Sequence, residues 1–233
     1  MHGPTSFALP FVADVPTADS TACSRADKRI ATRAPVLPLF AERWSPRSFA
    51  DRVVEPAKLR SLFEAARLAP SAHNMQPARF LVAEKQRPEN YRRLFQCLSE
   101  GNRGWAHSAP VLILASAMRQ RFSQREAAFV PYPHAMHDLG LAVMSLIVQA
   151  QALGLFSHPM AGFDPDQARA TFGIPPLFEP MVVIAVGYLG SPAALTEPLR
   201  QRELLPRTRR SLEEIVFEGG WDQPSPLLTI GNS

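Results

Sequence analysis

A long apolar segment in the second half of the chain constrains the fold most strongly. From Leu139 to Phe156 the sequence is apolar throughout except for Ser145, Gln149 and Gln151. A lone stretch of this length can span a bilayer, but this one carries two amides and lies within the pattern of a globular protein. A helix that is apolar nearly all round is buried, either in a core or against a second subunit. The segment therefore predicts a buried helix over residues 135–153 and no membrane span.

Other helices and strands alternate around this segment. Pro56 begins a helix whose apolar residues recur at helical spacing until Pro70 ends it. Asp164 is placed to cap a further helix, with Pro165 at its first position and Gly173 just past its end. The remaining predicted elements are a helix over 88–98 and strands over 79–83, 111–115 and 181–186. This order predicts an α+β domain in which helices cover a sheet.

Length, composition and charge limit the domain count and the partners. With 233 residues, of which 46% are hydrophobic, the chain can form one sizeable core. Residues 1–33 mix Pro, Thr, Ser, Ala and Asp without an apolar period, so we expect a mobile N-terminal arm there and one domain over 34–233. The net charge of +4 is spread without a long basic run, which makes nucleic acid a poor candidate partner.

Cysteine usage and the N-terminal residues bear on location. Cys23 and Cys97 make neither a disulfide framework nor a metal-ligand spacing, which fits a reducing compartment. No signal peptide is evident, because a positively charged start followed by an apolar run is missing. We therefore expect a cytoplasmic protein.

A proline-bracketed loop between a helix and a strand carries several polar side chains. Pro70 and Pro77 hold the backbone extended, and between them Ser71 offers a hydroxyl while Asn74 and Gln76 offer amide donors and acceptors. Such groups can also satisfy only the local turn backbone. The loop is suited to bind something polar and flat.

Two basic clusters support a bound anion. Arg43 and Arg47 are four residues apart, so that on a helical turn they would share one face and fork around a phosphate. Residues 207–210, Arg-Thr-Arg-Arg, supply a second cluster far downstream. With the polar loop and the apolar, glycine-containing turn at 158–163, these clusters indicate an anionic cofactor with a flat ring.

At this point the chain resembles the nitroreductase-like flavoprotein family, whose members bind FMN. The resemblance runs from about Val36 to Trp221 and rests on short segments that occur in the family's order. These segments are Arg-Trp-Ser-Pro-Arg-Ser-Phe at 43–49, Leu-Ala-Pro-Ser-Ala-His-Asn-Met-Gln-Pro at 68–77, Gly-Asn-Arg-Gly-Trp-Ala at 101–106, His-Asp-Leu-Gly at 137–140, Leu-Gly-Leu at 153–155, Pro-Met-Ala-Gly-Phe-Asp at 159–164 and Arg-Arg-Ser-Leu-Glu-Glu at 209–214.

The resemblance implies a fold, a cofactor and an activity. The implied fold has three layers, with a central mixed sheet covered by helices, and its members form intertwined homodimers with the flavin sites at the subunit interface. The implied activity is an FMN-dependent oxidoreductase that passes hydride from NAD(P)H through flavin N5 to a nitroaromatic, quinone or similar small-molecule acceptor by a ping-pong mechanism. No catalytic side chain and no metal is implied.

The resemblance also assigns residues to the cofactor. The phosphate and the neighbouring oxygens would meet guanidinium and hydroxyl groups of the first cluster and of the downstream basic positions. The loop would approach the isoalloxazine, with Ser71 and Ala72 contributed by the partner chain. Backbone N–H groups of Ala161 and Gly162 would approach flavin N5 and O4. The full predicted set is Arg43, Trp44, Ser45, Arg47, Pro70, Ser71, Ala72, Asn74, Gln76, Pro159, Met160, Ala161, Gly162, Arg207 and Arg209, with Arg210 as an alternative helper to Arg207.

The chain departs from the family pattern at Ala161, at Ala78 and at a polar pair that some relatives use between the first loop and the central strand. Ala161 stands where many relatives carry Glu, which removes a carboxylate that could shape substrate choice. Ala78 follows Pro77 where relatives often have Trp. Asn102 is the best match for a polar residue that some relatives use near the central strand.

Two alternative functions remain open at this stage. A protein of the same fold could bind flavin for storage, sensing or a non-reductase reaction. A non-flavin protein could instead hold zinc through His134, His137 and Asp138, although no third His or Cys at ligand spacing accompanies them. His73 and His158 flank the proposed flavin loops and are better candidates for contacts with flavin or substrate.

Overall fold

The computed structural model describes residues 28–228. In chain order its helices are α1 (Pro38–Glu42), α2 (Pro56–Arg67), α3 (Pro88–Gln96), α4 (Glu100–Ala106), α5 (Ala135–Ala152), α6 (Pro165–Phe172) and α7 (Glu197–Leu204). Its strands are β1 (Ala78–Glu84), β2 (Val111–Met118), β3 (Gln120–Ser123), β4 (Ala128–Pro131), β5 (Phe156–Met160) and β6 (Phe178–Gly187). Short 3₁₀ turns occupy residues 72–74, 192–194, 212–214 and 226–228.

Four strands form the central sheet in the order β1-β2-β6-β5. All three pairings are antiparallel, so among the described strands the sheet is not the mixed one that the sequence led us to expect. The reason lies in the connections, which return the chain to the end of the sheet that it left. Glu84 at the end of β1 pairs with Val111 at the start of β2, and Met118 at the end of β2 pairs with Phe178 at the start of β6.

Alternate residues of the two central strands fill two separate cores. Ile113 and Ile184 pack under α2 and α5 on one face, while Leu112 and Val183 pack with α3, α4 and α6 on the other. Because successive side chains of a strand point to opposite faces, a continuous apolar strand requires helices on both sides. The resulting helix–sheet–helix arrangement confirms the predicted three-layer α+β fold.

Helix α5 is the predicted buried helix, and it packs mainly on α2. Leu139, Leu146 and Ala150 lie in the core, and Gln149 Nε2 donates a hydrogen bond of 2.9 Å to Ser61 Oγ of α2. One amide that weighed against a membrane span therefore joins two helices. None of the helices between residues 28 and 228 combines the length and the apolarity needed to cross a bilayer.

The ends of α6 follow the predicted capping chemistry. Asp164 Oδ1 accepts a hydrogen bond of 2.8 Å from the backbone N–H of Gln167, and Pro165 opens the helix. Gly173 adopts the left-handed conformation at φ 62° that ends it. Local residues determine these ends, which explains why the sequence could predict them.

Several elements were not predicted. The β3–β4 hairpin is stabilised by the edge of the Phe122 ring against Phe129, and the two glycines of α4 weaken its helical signal. The predicted turn at 158–163 is a strand in its first half, because β5 continues to Met160 and the turn starts at Ala161. Pro159 is compatible with this strand because β5 is at the edge of the four-stranded sheet, where a missing N–H breaks no pairing.

The predicted N-terminal arm falls largely outside the described residues, as does the end of the domain after residue 228. Within the described part, contacts with the domain begin before the predicted boundary at residue 33. Lys28 is buried and its Nζ donates to the backbone carbonyl of Leu205 at 2.5 Å, and Ile30 donates its N–H to Ala41 at 3.1 Å.

A substitution at Gly190 tests how closely the chain at this position packs on the segment that contains Ser48 and Phe49. A Cβ at this position would lie 2.6 Å from the backbone carbon of Phe49 and from Ser48 Oγ. We expect Gly190→Ala to lower the free energy of unfolding by about 1–3 kcal/mol, because backbone cannot move aside cheaply. Urea denaturation measures the change.

Gly104 of α4 is the matched control, since a Cβ there meets nothing within 4 Å. Gly104→Ala should leave stability unchanged or raise it by about 0.5–1 kcal/mol, as expected for an exposed helical glycine. Equal stability of the two variants would contradict the packing described here.

Candidate functional site

The two basic clusters of the sequence meet in one cavity. Arg43 and Arg47 line it from the N-terminal side, and Arg207 and Arg209 line it from the C-terminal side. Its volume is about 270 Å³. The remaining lining residues are Lys28, Trp44, Ser45, Arg202, Glu203, Leu205 and Pro206. Six cationic side chains and one carboxylate in so small a space make an anion the natural occupant.

The first cluster reaches this cavity in a different conformation from the one predicted. Helix α1 ends at Glu42, and Arg43 already has extended backbone at φ −68°, ψ 128°. Pro46 disfavours helix at the residue before it, which is why residues 43–47 form no helical turn. Arg43 and Arg47 therefore line one cavity without sharing a helix face, and Arg43 Nη1 donates to Ser45 Oγ at 3.3 Å.

Glu203 of α7 is the buried carboxylate that holds the first cluster in place. Its Oε1 accepts from Trp44 Nε1 at 3.2 Å, and its Oε2 accepts from the backbone N–H of Arg47 at 3.0 Å. The guanidinium of Arg47 lies 3.7 Å from the same oxygen. The side chain of Glu203 is 2% exposed and that of Arg47 is 30% exposed, so removing Glu203 would leave a half-buried cation and the N–H groups of Trp44 and Arg47 without their partner.

The arginines of the second cluster have different environments. Arg207 Nη1 donates to the carbonyls of Lys28 and Ala41, at 3.0 and 2.7 Å. Burial, followed by the charges of Arg43 and Arg209, lowers the pKa of Arg207 to about 10. Burial and Arg209 likewise lower the pKa of Arg43. Mutual repulsion of this kind is relieved when an anion binds among the cations.

Arg209 and Arg210 separate clearly in the structure. Arg209 lines the cavity, and its hydrogen bond is to the carbonyl of the adjacent Thr208. Arg210 does not line it, and its Nη1 instead lies 3.3 Å from Glu214 Oε1. The geometry therefore favours Arg209, with Arg207, over Arg210 as the anion-facing pair.

The turn after β5 presents two backbone donors to solvent. Ala161 and Gly162 are exposed, and within residues 28–228 neither of their N–H groups has a protein acceptor. The carbonyl of Gly162 is fixed from behind by the N–H of Ser99 at 2.9 Å and by Asn102 Nδ2 at 2.8 Å. A Cβ on Gly162 would lie 2.7 Å from Asn102 Nδ2 and from Ser99 Oγ, so a larger residue would displace the two side chains that pack against this turn.

His158 joins this turn to the basic cavity. Its Nδ1–H donates to the carbonyl of Pro46 at 2.9 Å, and its ring stacks on Trp105 with centroids 4.4 Å apart. Burial lowers the pKa of His158 to about 4; the hydrogen bond to the Pro46 carbonyl opposes this change, and the charges of Arg47 and Arg43 add to it. The imidazole is therefore neutral near pH 7 and serves as a structural link between β5 and the 43–47 segment.

The proline-bracketed loop has an unusual backbone. His73, Asn74 and Gln76 all have positive φ, at 53°, 53° and 48°, which costs roughly 1–3 kcal/mol for each such residue. Within the loop the N–H of Gln76 donates to Ser71 Oγ at 2.9 Å, and Gln76 Nε2 donates to Asn74 Oδ1 at 3.1 Å. Within residues 28–228 the Asn74 amide N–H₂ and the Gln76 side-chain carbonyl oxygen have no protein partner, so both can bind a ligand.

A single chain does not bring the loop and the basic cavity together. Pro70, Ser71 and Gln76 line a separate cavity of about 170 Å³ between α2, β1 and α5. The predicted site residues are therefore grouped in three places: the basic cavity, the turn after β5 and the loop.

The zinc alternative finds no support in the described part of the chain. Asp138 is buried and hydrogen-bonded to Tyr132, and no group of three or more His, Cys, Asp or Glu side chains between residues 28 and 228 is arranged to hold a metal ion.

Comparison with known proteins identifies the family. The model of the Nitroreductase family matches residues 40–188, more than half of the chain. The chain belongs to the nitroreductase family. A Streptomyces coelicolor protein with the provisional name NADH dehydrogenase/NAD(P)H nitroreductase is 32% identical over 172 residues, which cover 67% of this chain and 84% of that protein.

Solved structures of the nitroreductase family agree in fold. A crystal structure described as an oxidoreductase containing FMN is 35% identical, covers 82% of this chain and 95% of that chain, and superposes with a TM-score of 0.78. A nitroreductase family protein from Clostridium difficile 630 is 27% identical, covers 78% of this chain and 96% of that chain, and has a TM-score of 0.60.

Five residues that line the basic cavity in this nitroreductase were not foreseen, and three of them are charged. Lys28 lies in the segment that the sequence predicts to be a mobile arm, and Arg202 and Glu203 lie in a helix with little amphipathic pattern. A lone Glu among arginines looks like an ordinary solvated helix residue in the sequence. Only its burial against Trp44 and Arg47 reveals its role, and no sequence signal would have found it.

The lowered pKa of His158 predicts a specific pH dependence of stability. The folded protein favours the neutral ring, so this contribution to stability is complete above about pH 6.5 and is lost as the pH falls toward about 4. His158→Phe keeps a ring to stack on Trp105 but does not titrate. We expect the free energy of unfolding to fall less between pH 7 and pH 4.5 in His158→Phe than in the wild type.

Urea denaturation at several pH values measures this difference, and the change with pH, not the absolute stability, is the quantity to compare. The exposed His107 provides the control substitution, His107→Phe, which should retain the wild-type dependence. A His158→Phe variant with the full wild-type dependence would show that His158 is not the group responsible.

Proposed function

We propose that this nitroreductase family member is an FMN-dependent oxidoreductase that uses NAD(P)H to reduce a nitroaromatic, quinone or similar small acceptor. The observation that carries the proposal is the convergence of Arg43, Arg47, Arg207 and Arg209 on one cavity. Its similarity to a solved oxidoreductase that contains FMN supports the choice of cofactor.

The residues of the basic cavity fit the phosphate of FMN. Guanidinium groups bind phosphate oxygens in pairs, and Ser45 adds a hydroxyl beside Arg43. Arg43 donates to Ser45 Oγ and Arg209 to the carbonyl of Thr208, whereas Arg207 is partly committed to two backbone carbonyls. We therefore assign the phosphate to Arg43 and Arg209, with Ser45 and Arg207 supporting them.

Two other groups fit the ring end of the cofactor. The free N–H groups of Ala161 and Gly162 are fixed donors, and fixed donors stabilise negative charge on a reduced flavin ring. Asn74 and Gln76 present one free donor and one free acceptor, which suits the amide-like edge of a flat ring.

When bound, FMN supplies the hydride chemistry, accepting two electrons from NAD(P)H and then passing them to the acceptor in the same place. The protein binds the cofactor, orients it and tunes its electronic properties. No side-chain acid is needed at the turn, where Ala161 leaves room for acceptors of different shape. His158 is neutral near pH 7, and its hydrogen bond to Pro46 fixes the position of the turn relative to the basic cavity.

The separation of the loop from the basic cavity favours a homodimer with sites between the subunits. In such a dimer the loop of one chain would complete the cofactor site of the other. Large exposed apolar side chains of the C-terminal segment, including Leu205, Ile215 and Trp221, supply surface that a second copy would cover.

Replacing Arg209 tests the phosphate assignment. Arg209 is exposed, so Arg209→Ala should fold normally while losing charge-assisted hydrogen bonds to phosphate. We expect the dissociation constant for FMN to rise roughly tenfold to a hundredfold, and wild-type affinity to fall with added salt. Quenching of FMN fluorescence on titration with the flavin-free protein measures the affinity.

Arg210→Ala is the matched control, because the same charge is removed from the next residue, which pairs with Glu214 outside the cavity. Its affinity for FMN should remain within about twofold of wild type, as for most surface substitutions. Equal weakening in both variants would indicate a general charge effect and contradict the assignment.

The activity is tested by the visible spectrum and by initial rates. Purified protein should show flavin absorption bands that bleach when NADH or NADPH is added without oxygen. With a quinone or nitroaromatic acceptor, double-reciprocal plots at several fixed nicotinamide concentrations should be parallel. Bands that persist with both nicotinamides would favour a non-reductase flavin function, and failure to bind added FMN would refute the proposal.

A further inference from the structure

The loop over residues 71–76 needs an external support. Three consecutive or nearly consecutive non-glycine residues, His73, Asn74 and Gln76, have positive φ, and two of them are the proposed flavin-facing amides. Within the loop the N–H groups of Asn74 and Met75 donate to the carbonyls of Ser71 and Ala72, and side-chain hydrogen bonds join Ser71 to Gln76 and Gln76 to Asn74. None of these bonds reaches the rest of the domain. What fixes the loop to the domain is therefore decisive for where the two amides point.

Asp138, in the first turn of α5, provides that attachment. Its Oδ2 accepts from the backbone N–H of Ala72 at 3.1 Å and from the hydroxyl of Tyr132 at 2.5 Å, and its Oδ1 lies 3.0 Å from His137 Nδ1. The side chain of Asp138 is only 1% exposed. Burial on its own raises the pKa of Asp138, but the hydrogen bonds from Tyr132, His137 and Ala72 outweigh it and hold that pKa below its ordinary value. The carboxylate is therefore ionised near neutral pH.

Tyr132 contacts the same residue, Ala72, at its carbonyl. Its hydroxyl oxygen lies 3.0 Å from the carbonyl oxygen of Ala72, so the hydroxyl hydrogen can serve either this carbonyl or Asp138. The ring is 4% exposed, and the backbone N–H of Tyr132 donates to Arg119 at 2.7 Å. Asp138 thus binds the N–H of Ala72, and Tyr132 lies within reach of its carbonyl, which also accepts from the N–H of Met75 at 3.2 Å.

The arrangement is more than a feature of the core, because Asp138 shares a cavity with the loop. The cavity of about 170 Å³ is lined by Asp138 together with Ser71 and Gln76. The anchoring carboxylate and the loop side chains are therefore neighbours across a space that is open to a ligand or a second chain.

We propose that Asp138, together with Tyr132, is a positioning residue that fixes Ala72 and thereby orients Asn74 and Gln76 toward the bound flavin. This inference rests on the proposed function. Asp138 does not touch the cofactor in this proposal and acts only through the loop. Asp138→Asn keeps the side-chain size and can place its amide oxygen where Oδ2 lies, but it removes the negative charge that strengthens the hydrogen bonds from Ala72 and Tyr132.

The test uses Asp138→Asn and Tyr132→Phe, with Tyr188→Phe as the control. Tyr188 also donates its hydroxyl to a carboxylate, Glu55 Oε2 at 2.6 Å, but at the start of α2 and away from the loop. The readouts are hydrogen–deuterium exchange of residues 70–77 in the flavin-free protein, the FMN dissociation constant, and the absorption spectrum of bound flavin.

We expect exchange at Ala72 to accelerate on the order of tenfold and FMN to bind on the order of tenfold more weakly in Asp138→Asn. The flavin bands should shift, and Tyr132→Phe should show the same changes to a smaller extent.

Each result has a separate meaning. Faster exchange with weaker binding and a shifted spectrum, absent in Tyr188→Phe, supports the inference. Unchanged exchange overturns the attachment itself, whatever FMN does. Faster exchange with wild-type affinity and spectrum overturns the positioning role. Failure of the wild type to bind FMN is the distinct result that refutes the proposed function, and the flavin-directed role of Asp138 with it.

Discussion

The burial of β2 and β6 on both faces is the constraint on which the rest of the structure depends. Since alternate side chains of these strands enter opposite cores, helices must cover both sides of the sheet. Helix α5 packs most of its apolar residues on the sheet and on α2, while Met136 and Met144 on its remaining face are exposed in the single chain. The polar side chains of the candidate site therefore lie at the edges of the sheet and in its connections, near the end of β5 and in the 43–47 segment.

A small number of buried polar side chains then joins distant parts of the chain at these edges. Glu203 connects α7 to Trp44 and Arg47, over about two thirds of the sequence, and His158 connects β5 to Pro46. Each link satisfies groups that would otherwise be buried without partners, so its loss costs more than an average hydrogen bond contributes. These links hold the segments that carry the arginines, so the arginines line one cavity. The binding of an anion there relieves the repulsion among them.

In the polar loop an unfavourable backbone conformation accompanies exposed hydrogen-bonding groups. Its positive φ values are unfavourable, yet they leave one donor of Asn74 and one acceptor of Gln76 exposed. Buried bonds from Asp138 and Tyr132 to Ala72 offset that cost. Rigid support beneath an exposed recognition loop is a common way to limit the entropy lost when a ligand binds. The turn at Gly162 follows the same logic, with Ser99 and Asn102 fixing its carbonyl from behind.

Sequence alone determined the features that local chemistry controls. The caps of α6, the start of α2, the buried α5 and the apolar β6 follow from prolines, glycines and apolar periods, and ordered motifs pointed to the family. Strand pairing, the β5 strand through Pro159 and the grouping of the arginines depend on contacts between residues far apart in the chain. Glu203, Lys28 and Asp138 acquire their roles only through burial beside particular partners. A charged residue carries no mark of that burial in a linear sequence, because its environment is created by segments that meet only in the folded protein.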